Sequence, residues 1–154
     1  MPTDGVLGSV AWAGEGDPSY LLRPSLDSER FFVELAGGRF VLRHCDDCGR
    51  PRYPHAPVCP YCGGLRFEWR PAATSGTVLS WARCHMDYVA ELAPLLPYVV
   101  VDVQMAAGVR IIARLAGTHP EPYSGMAVEL VAERWPAGQA VPAFVAGAGA
   151  ETEG

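Results

Sequence analysis

The chain has 154 residues, 49% of them hydrophobic, with 17 acidic against 12 basic residues and a formal net charge of -5. That apolar share excludes a disordered chain, and the length allows one ordinary core or a small module stapled to a larger one. No apolar run approaches the ~20 residues of a membrane-spanning helix, and scattered basic residues in an acidic chain argue against nucleic acid, whose binders draw most of their affinity from phosphate neutralisation. No membrane and no nucleic-acid partner are therefore expected.

Residues 1–23 are rich in glycine and small side chains, lack a convincing period, and read as a flexible leader. Val6, Leu7, Val10 and Trp12 give it some apolar character that can lie against a partner. Met1-Pro2-Thr3-Asp4-Gly5 lacks the basic-then-apolar pattern of a secretory signal. From residue 24 to 38 a helix is predicted. Ser25 is its expected cap, Asp27 and Glu29 place negative charge in the first turn, and Phe31, Phe32 and Leu35 form one stripe that Gly37-Gly38 ends. Such a stripe ordinarily packs on its own core; the alternative is docking on another subunit.

Residues 39–70 contain four of the five cysteines, arranged as Cys45-Asp46-Asp47-Cys48 and Cys59-Pro60-Tyr61-Cys62. Two Cys-x-x-Cys turns facing each other present a tetrahedron of thiolates, the donor set of a closed structural zinc site. Gly49 and Gly63 follow the knuckles, where the turn needs a positive backbone dihedral. Four sulfurs leave no position for water, so the expected Zn2+ organises the chain rather than activating a nucleophile. Rubredoxin-type iron takes the same ligands. Two disulfides need an oxidising compartment, whereas free thiolates point to the cytoplasm. His44 and His55 flank the cluster, but four cysteines already complete the shell. Residues 39–43 and 65–70 read as the arms of the ribbon, and Pro51, Pro54, Pro57 and Pro60 hold an extended loop between the knuckles.

Residues 71–146 are a run of strand signals at 77–85, 98–105, 109–115, 127–135 and 141–145, the second and third joined through Ala106-Ala107-Gly108. Five strands in this order suit an OB-fold barrel. Val99, Val101 and Val103 mark a core face. The link 86–97 holds Tyr88, Leu92, Leu95 and Leu96, which either cover a barrel end or touch a partner. Residues 147–154 read as a flexible tail. The predicted class is mainly β: an N-terminal helix, a zinc ribbon, then a five-stranded barrel.

Several separated signatures resemble one family, the proteins that join a rubredoxin-like zinc ribbon to an OB fold and accompany thiolase-like enzymes of acyl-CoA metabolism. They are Phe40-Val41-Leu42-Arg43-His44-Cys45, Pro57-Val58-Cys59-Pro60-Tyr61-Cys62, Phe67-Glu68-Trp69, Ser75-Gly76-Thr77-Val78-Leu79-Ser80-Trp81, Pro97-Tyr98-Val99, Gly108-Val109-Arg110 and Pro142-Ala143-Phe144. Two departures stand out: Pro54-His55-Ala56 replaces a proline-proline-arginine run before the third cysteine, and Thr74 stands where relatives usually have glycine. The resemblance implies a non-catalytic subunit of a thiolase, aldolase, synthase or acyltransferase that helps hold or pass an acyl-CoA, as in lipid or steroid side-chain degradation.

The residues themselves show no nucleophile paired with a base. Cys84 and His85 are adjacent in a strand and so point to opposite faces. Acyl-CoA needs cations for its phosphates and an apolar passage for its arm. Arg52, His55, Trp81, His85, Tyr88 and Arg110 are the candidate contacts with acyl-CoA or a partner, with Arg43, Arg50, Arg66 and Arg83 as further cations. The rival reading is an OB fold that stacks single-stranded nucleic acid on Trp81 and Tyr98.

Overall fold

The computed structural model describes residues 5–150. A closed barrel is built from β5 (Ser75–Cys84), β6 (Tyr98–Met105), β7 (Arg110–Leu115), β8 (Ala127–Arg134) and β9 (Ala140–Ala146). β5 pairs with β6 and β6 with β7, all antiparallel; β7 runs parallel to β9, which pairs with β8, and β8 returns to β5. That circuit is the OB-type barrel expected from the strand signals. The alternation of β6 is realised directly: Val99, Val101, Val103 and Met105 are buried on one face.

The ribbon is a small second sheet. β2 (Val41–Cys45) lies between β3 (Pro51–Arg52) and β4 (Phe67–Pro71), antiparallel to both. The loop between the knuckles is thus not wholly unpaired, because Arg52 sits opposite Arg43. Phe40 and Leu42 at the root of β2 belong to the same buried cluster as Val78, Ile111, Leu130 and Phe144 of the barrel, so ribbon and barrel share one core.

The helix is shorter than predicted: α1 spans Glu29–Ala36. Ser25 does not cap it. The Ser25 N–H donates to Ser28 Oγ at 2.9 Å, and the N–H groups of Ser28 and Glu29 donate to the Ser25 carbonyl, so residues 25–28 form a turn ahead of the helix. Phe31 and Leu35 enter the shared core, which settles the stripe as intramolecular, while Val33 on the opposite side is 65% exposed.

Within the described part of the leader there is ordered structure. Gly5 accepts from the Phe40 N–H at 2.6 Å, Leu7 donates to Gly38, and β1 (Gly8–Ala11) runs parallel to β8 through Val131–Arg134. The reason lies in β8. β5 covers it only at Ala127–Glu129, and the rest of that strand offers hydrogen-bonding groups to which β1 adds. Val10 packs on the outer cluster of Ala116, Val131 and Ala143, and Trp12 meets Trp135 edge-on at 5.9 Å. At the other end Gly147 donates to Ala127 and Ala150 packs on the core; residues 1–4 and 151–154 of the predicted leader and tail lie outside the described residues.

Candidate metal centre and flanking surfaces

The thiol atoms of Cys45, Cys48, Cys59 and Cys62 all lie within 4.8 Å of one another. Cys45 Sγ is 3.6 Å from Cys62 Sγ, and Cys48 Sγ is 3.7 Å from Cys59 Sγ. Sulfurs each ~2.3 Å from a central zinc stand roughly 3.8 Å apart at the corners of a tetrahedron, so the spacing fits the ion. Disulfides are absent among the described residues, since every cysteine is free.

The two knuckles are built alike. Gly49 and Gly63 adopt φ of +74° and +76° and donate to the carbonyls of Cys45 and Cys59 at 2.8 and 2.9 Å. The Gly64 N–H reaches Cys62 Sγ at 3.4 Å. A side chain at Gly64 would stand 2.5 Å from Asp47 Oδ2 and 3.2 and 3.3 Å from the sulfurs of Cys45 and Cys62, so glycine there keeps both the donor shell and the carboxylate beside it clear. Burial opposes ionisation of Cys59, yet backbone N–H groups of Tyr61 and Cys62 and the neighbouring thiols outweigh it and hold its thiol down at about 6. The neighbouring thiols push that of Cys62 the other way, up to about 12, so the sulfurs share protons that a bound cation would displace. With four sulfurs in place, the centre is a closed structural zinc site.

Beside the metal loop lies an aromatic box. His55 has its ring centre 4.7 Å from Phe31, 5.5 Å from Tyr53 and 5.1 Å from Trp69. Burial first, then the nearby Arg43 and Arg52, push its pKa down to about 4 against the opposing pull of Asp27. The imidazole is therefore neutral at pH 7. Arg43 and Arg52 are themselves only 5% and 2% exposed. Both donate to the Ala56 carbonyl, at 3.3 and 3.2 Å, and lie over the Phe67 ring at 4.0 and 5.4 Å; Arg43 also pairs with Asp27 at 3.2 Å. Arg52 and His55, expected to face a ligand or partner, are thus turned inward, where they clamp the metal loop to α1 and β4. A proline-flanked loop reads as surface, and nothing in its spacing marks the aromatic wall that covers it.

The other candidates lie outside. Trp81 is 42% and Tyr88 82% exposed, and His85 between them is exposed as well. They lie on the part of β5 that extends beyond its pairing with β8, and on the link after it. Leu79 and Met86, 41% and 60% exposed, extend this apolar flank. Arg110 is neutralised by Asp102, and Arg66 is likewise paired with Asp47 at 2.7 Å. The structure therefore groups Trp81, His85 and Tyr88 along one segment, places Arg52 and His55 together in the interior, and joins neither group to Arg110. Thr74, one of the two departures from the family pattern, is buried and hydrogen-bonds Glu129 through its hydroxyl. No helix among the described residues is long and apolar enough to cross a membrane.

Two family models match in chain order: the rubredoxin-like zinc ribbon domain of ChsH2 at residues 34–68 and the ChsH2 C-terminal OB-fold domain at residues 69–133. A relative from Thermomonospora curvata, described as a probable enoyl-CoA hydratase alpha subunit, is 33% identical over 101 residues, 64% of this chain; the match spans only 31% of that relative's length. Among solved structures, a chain of an Ltp2-ChsH2(DUF35) aldolase is similar with a TM-score of 0.71 and 29% identity, over 80% of this chain and 98% of that one. A DUF35-family protein of unknown function from Sulfolobus solfataricus, 17% identical with a TM-score of 0.58 over 80% of this chain and 87% of its own, shares the fold. In residues, metal centre and domain order, the chain belongs to the ChsH2 family of zinc-ribbon and OB-fold proteins.

Proposed function

We propose that this chain is an accessory subunit that assembles with a thiolase-like enzyme and helps bind or pass its acyl-CoA substrate. The observation that carries this reading is the likeness to the ChsH2 chain of an aldolase, which extends over 98% of that chain. The chemistry of the residues agrees with it. The metal shell is full, and Cys84 lies opposite Tyr98 across the strand pair rather than beside a base. Trp81, His85 and Tyr88, with Leu79 and Met86, supply an exposed aromatic and apolar flank of the kind partners cover. The clamp of Arg43, Arg52 and His55 ties the metal loop to α1 and β4.

The test is co-expression with a thiolase-like subunit encoded near this chain, followed by affinity capture and an acyl-CoA cleavage assay. A stoichiometric complex whose activity requires both chains supports the reading. Turnover by the pure chain alone, or failure to retain any such subunit, contradicts it.

A further inference from the structure

At the ends of β5 and β7 and the start of β6 a cleft of about 230 Å³ opens, lined by Arg83, Leu95, Tyr98, Arg114, Gly117 and His119. It lies apart from the metal ligands, and its cationic and imidazole groups come from two separate pieces of chain, the end of β5 and the end of β7 with the link after it. Arg83 donates through Nη2 to the Glu121 carboxylate, 2.6 Å from Oε2, and its other nitrogens make no hydrogen bond among the described residues. Arg114 pairs with the buried Glu133, and its Nε is buried without an acceptor. His119 Nδ1 is 2.8 Å from the Pro120 carbonyl oxygen, so Nδ1 donates there and Nε2 remains available.

Each nearby carboxylate thus engages one guanidinium on one side and leaves other donors unused. Burial pushes the Arg114 pKa down, and a neighbouring negative charge offsets that. Donors arriving from separate segments suit a tetrahedral oxyanion, with acceptors on every side, better than a planar carboxylate taken by a single fork.

We propose that this cleft binds a phosphoryl oxyanion, held by Arg83 and Arg114 with His119 beside it. The site itself is independent of any partner; only its natural source, a phosphate of coenzyme A, rests on the acyl-CoA reading above. The volume suits a phosphate or diphosphate group rather than a whole nucleotide.

The experiment titrates inorganic pyrophosphate, and separately coenzyme A, into the full zinc-loaded chain by calorimetry, with the Arg Nε–H resonances followed by NMR. Arg83→Gln is expected to weaken pyrophosphate by about tenfold or more, the loss of a charge-assisted contact. Glu121→Gln, which frees Arg83 and removes a competing charge, is expected to tighten it, a sign that a merely structural role would not produce. Arg114 is left intact, since its removal strands Glu133 as a buried unpaired charge. Zinc content and circular dichroism verify that the variants fold. Absence of pyrophosphate binding by both wild type and Glu121→Gln, or binding indifferent to Arg83→Gln, overturns the proposal. Should pyrophosphate bind and respond as described while coenzyme A does not compete, the oxyanion site stands and the acyl-CoA source falls. Should a partner complex bind coenzyme A without any pyrophosphate site here, this inference fails alone.

Discussion

Phe31→Ala is expected to cost the folded chain about 3–5 kcal/mol, the range for truncating a fully buried phenylalanine. Phe31 is 1% exposed and meets the rings of Phe32, Phe40, Tyr53 and His55 at 5.3, 6.3, 5.7 and 4.7 Å. Those neighbours belong to α1, the root of the ribbon and the metal loop, and strand pairing and the zinc fix two of the three. The cavity therefore closes poorly, which places the loss in the upper half of the range. Because Phe31 belongs to the cluster that contains Phe40 of the ribbon and Ile111 and Leu130 of the barrel, protection against amide exchange should fall in both modules. Urea unfolding of the zinc-loaded protein gives the magnitude, and exchange gives the distribution. A loss below about 1 kcal/mol, the ordinary size of a point-mutant effect, or one confined to α1, refutes the shared core.

Three further outcomes are expected. Gly64→Ala places a methyl group against the sulfurs of Cys45 and Cys62 and should lower zinc affinity by about tenfold, as disturbed outer-shell contacts do, measured by competition with a chelator. His55 has its pKa lowered to about 4 from an ordinary 6.5, so the unfolded chain binds more protons between these values and stability falls as pH drops through that window; His55→Phe should remove that fall from the variant's own stability curve, so that the difference between the two proteins changes across the window, and parallel curves would deny the neutral buried imidazole. Trp81→Ala with Tyr88→Ala, at exposed positions, should change stability by no more than about 0.5 kcal/mol each. The same double variant should weaken capture of a thiolase-like subunit by at least about tenfold, as loss of aromatic anchors does, and unchanged capture would move the interface elsewhere.

Local chemistry made much of this legible in advance. The paired cysteines with glycine behind each knuckle demand facing turns whatever surrounds them, and β6 displays its core face through Val99, Val101 and Val103. The misread elements depend on distant partners. β1 has weak strand signals of its own and forms because β5 leaves part of β8 unpaired. The helix starts at Glu29 because Ser25 and Ser28 bond each other instead of capping it. The inward turn of Arg52 and His55 follows from Phe31, Tyr53, Phe67 and Trp69, four aromatics spread over α1, the metal loop and β4. Arg83 shares a cleft with Arg114 and His119 only once the barrel brings β5, β6 and β7 together.

The most direct measurement is elemental analysis of natively purified protein combined with X-ray absorption at the metal edge. One zinc per chain, surrounded by four sulfurs at about 2.3 Å, with Cys45, Cys48, Cys59 and Cys62 protected from alkylation until the metal is removed, is the expected result. A folded chain that carries no metal and whose four thiols are freely alkylated would contradict the reading of the ribbon as a metal-held frame.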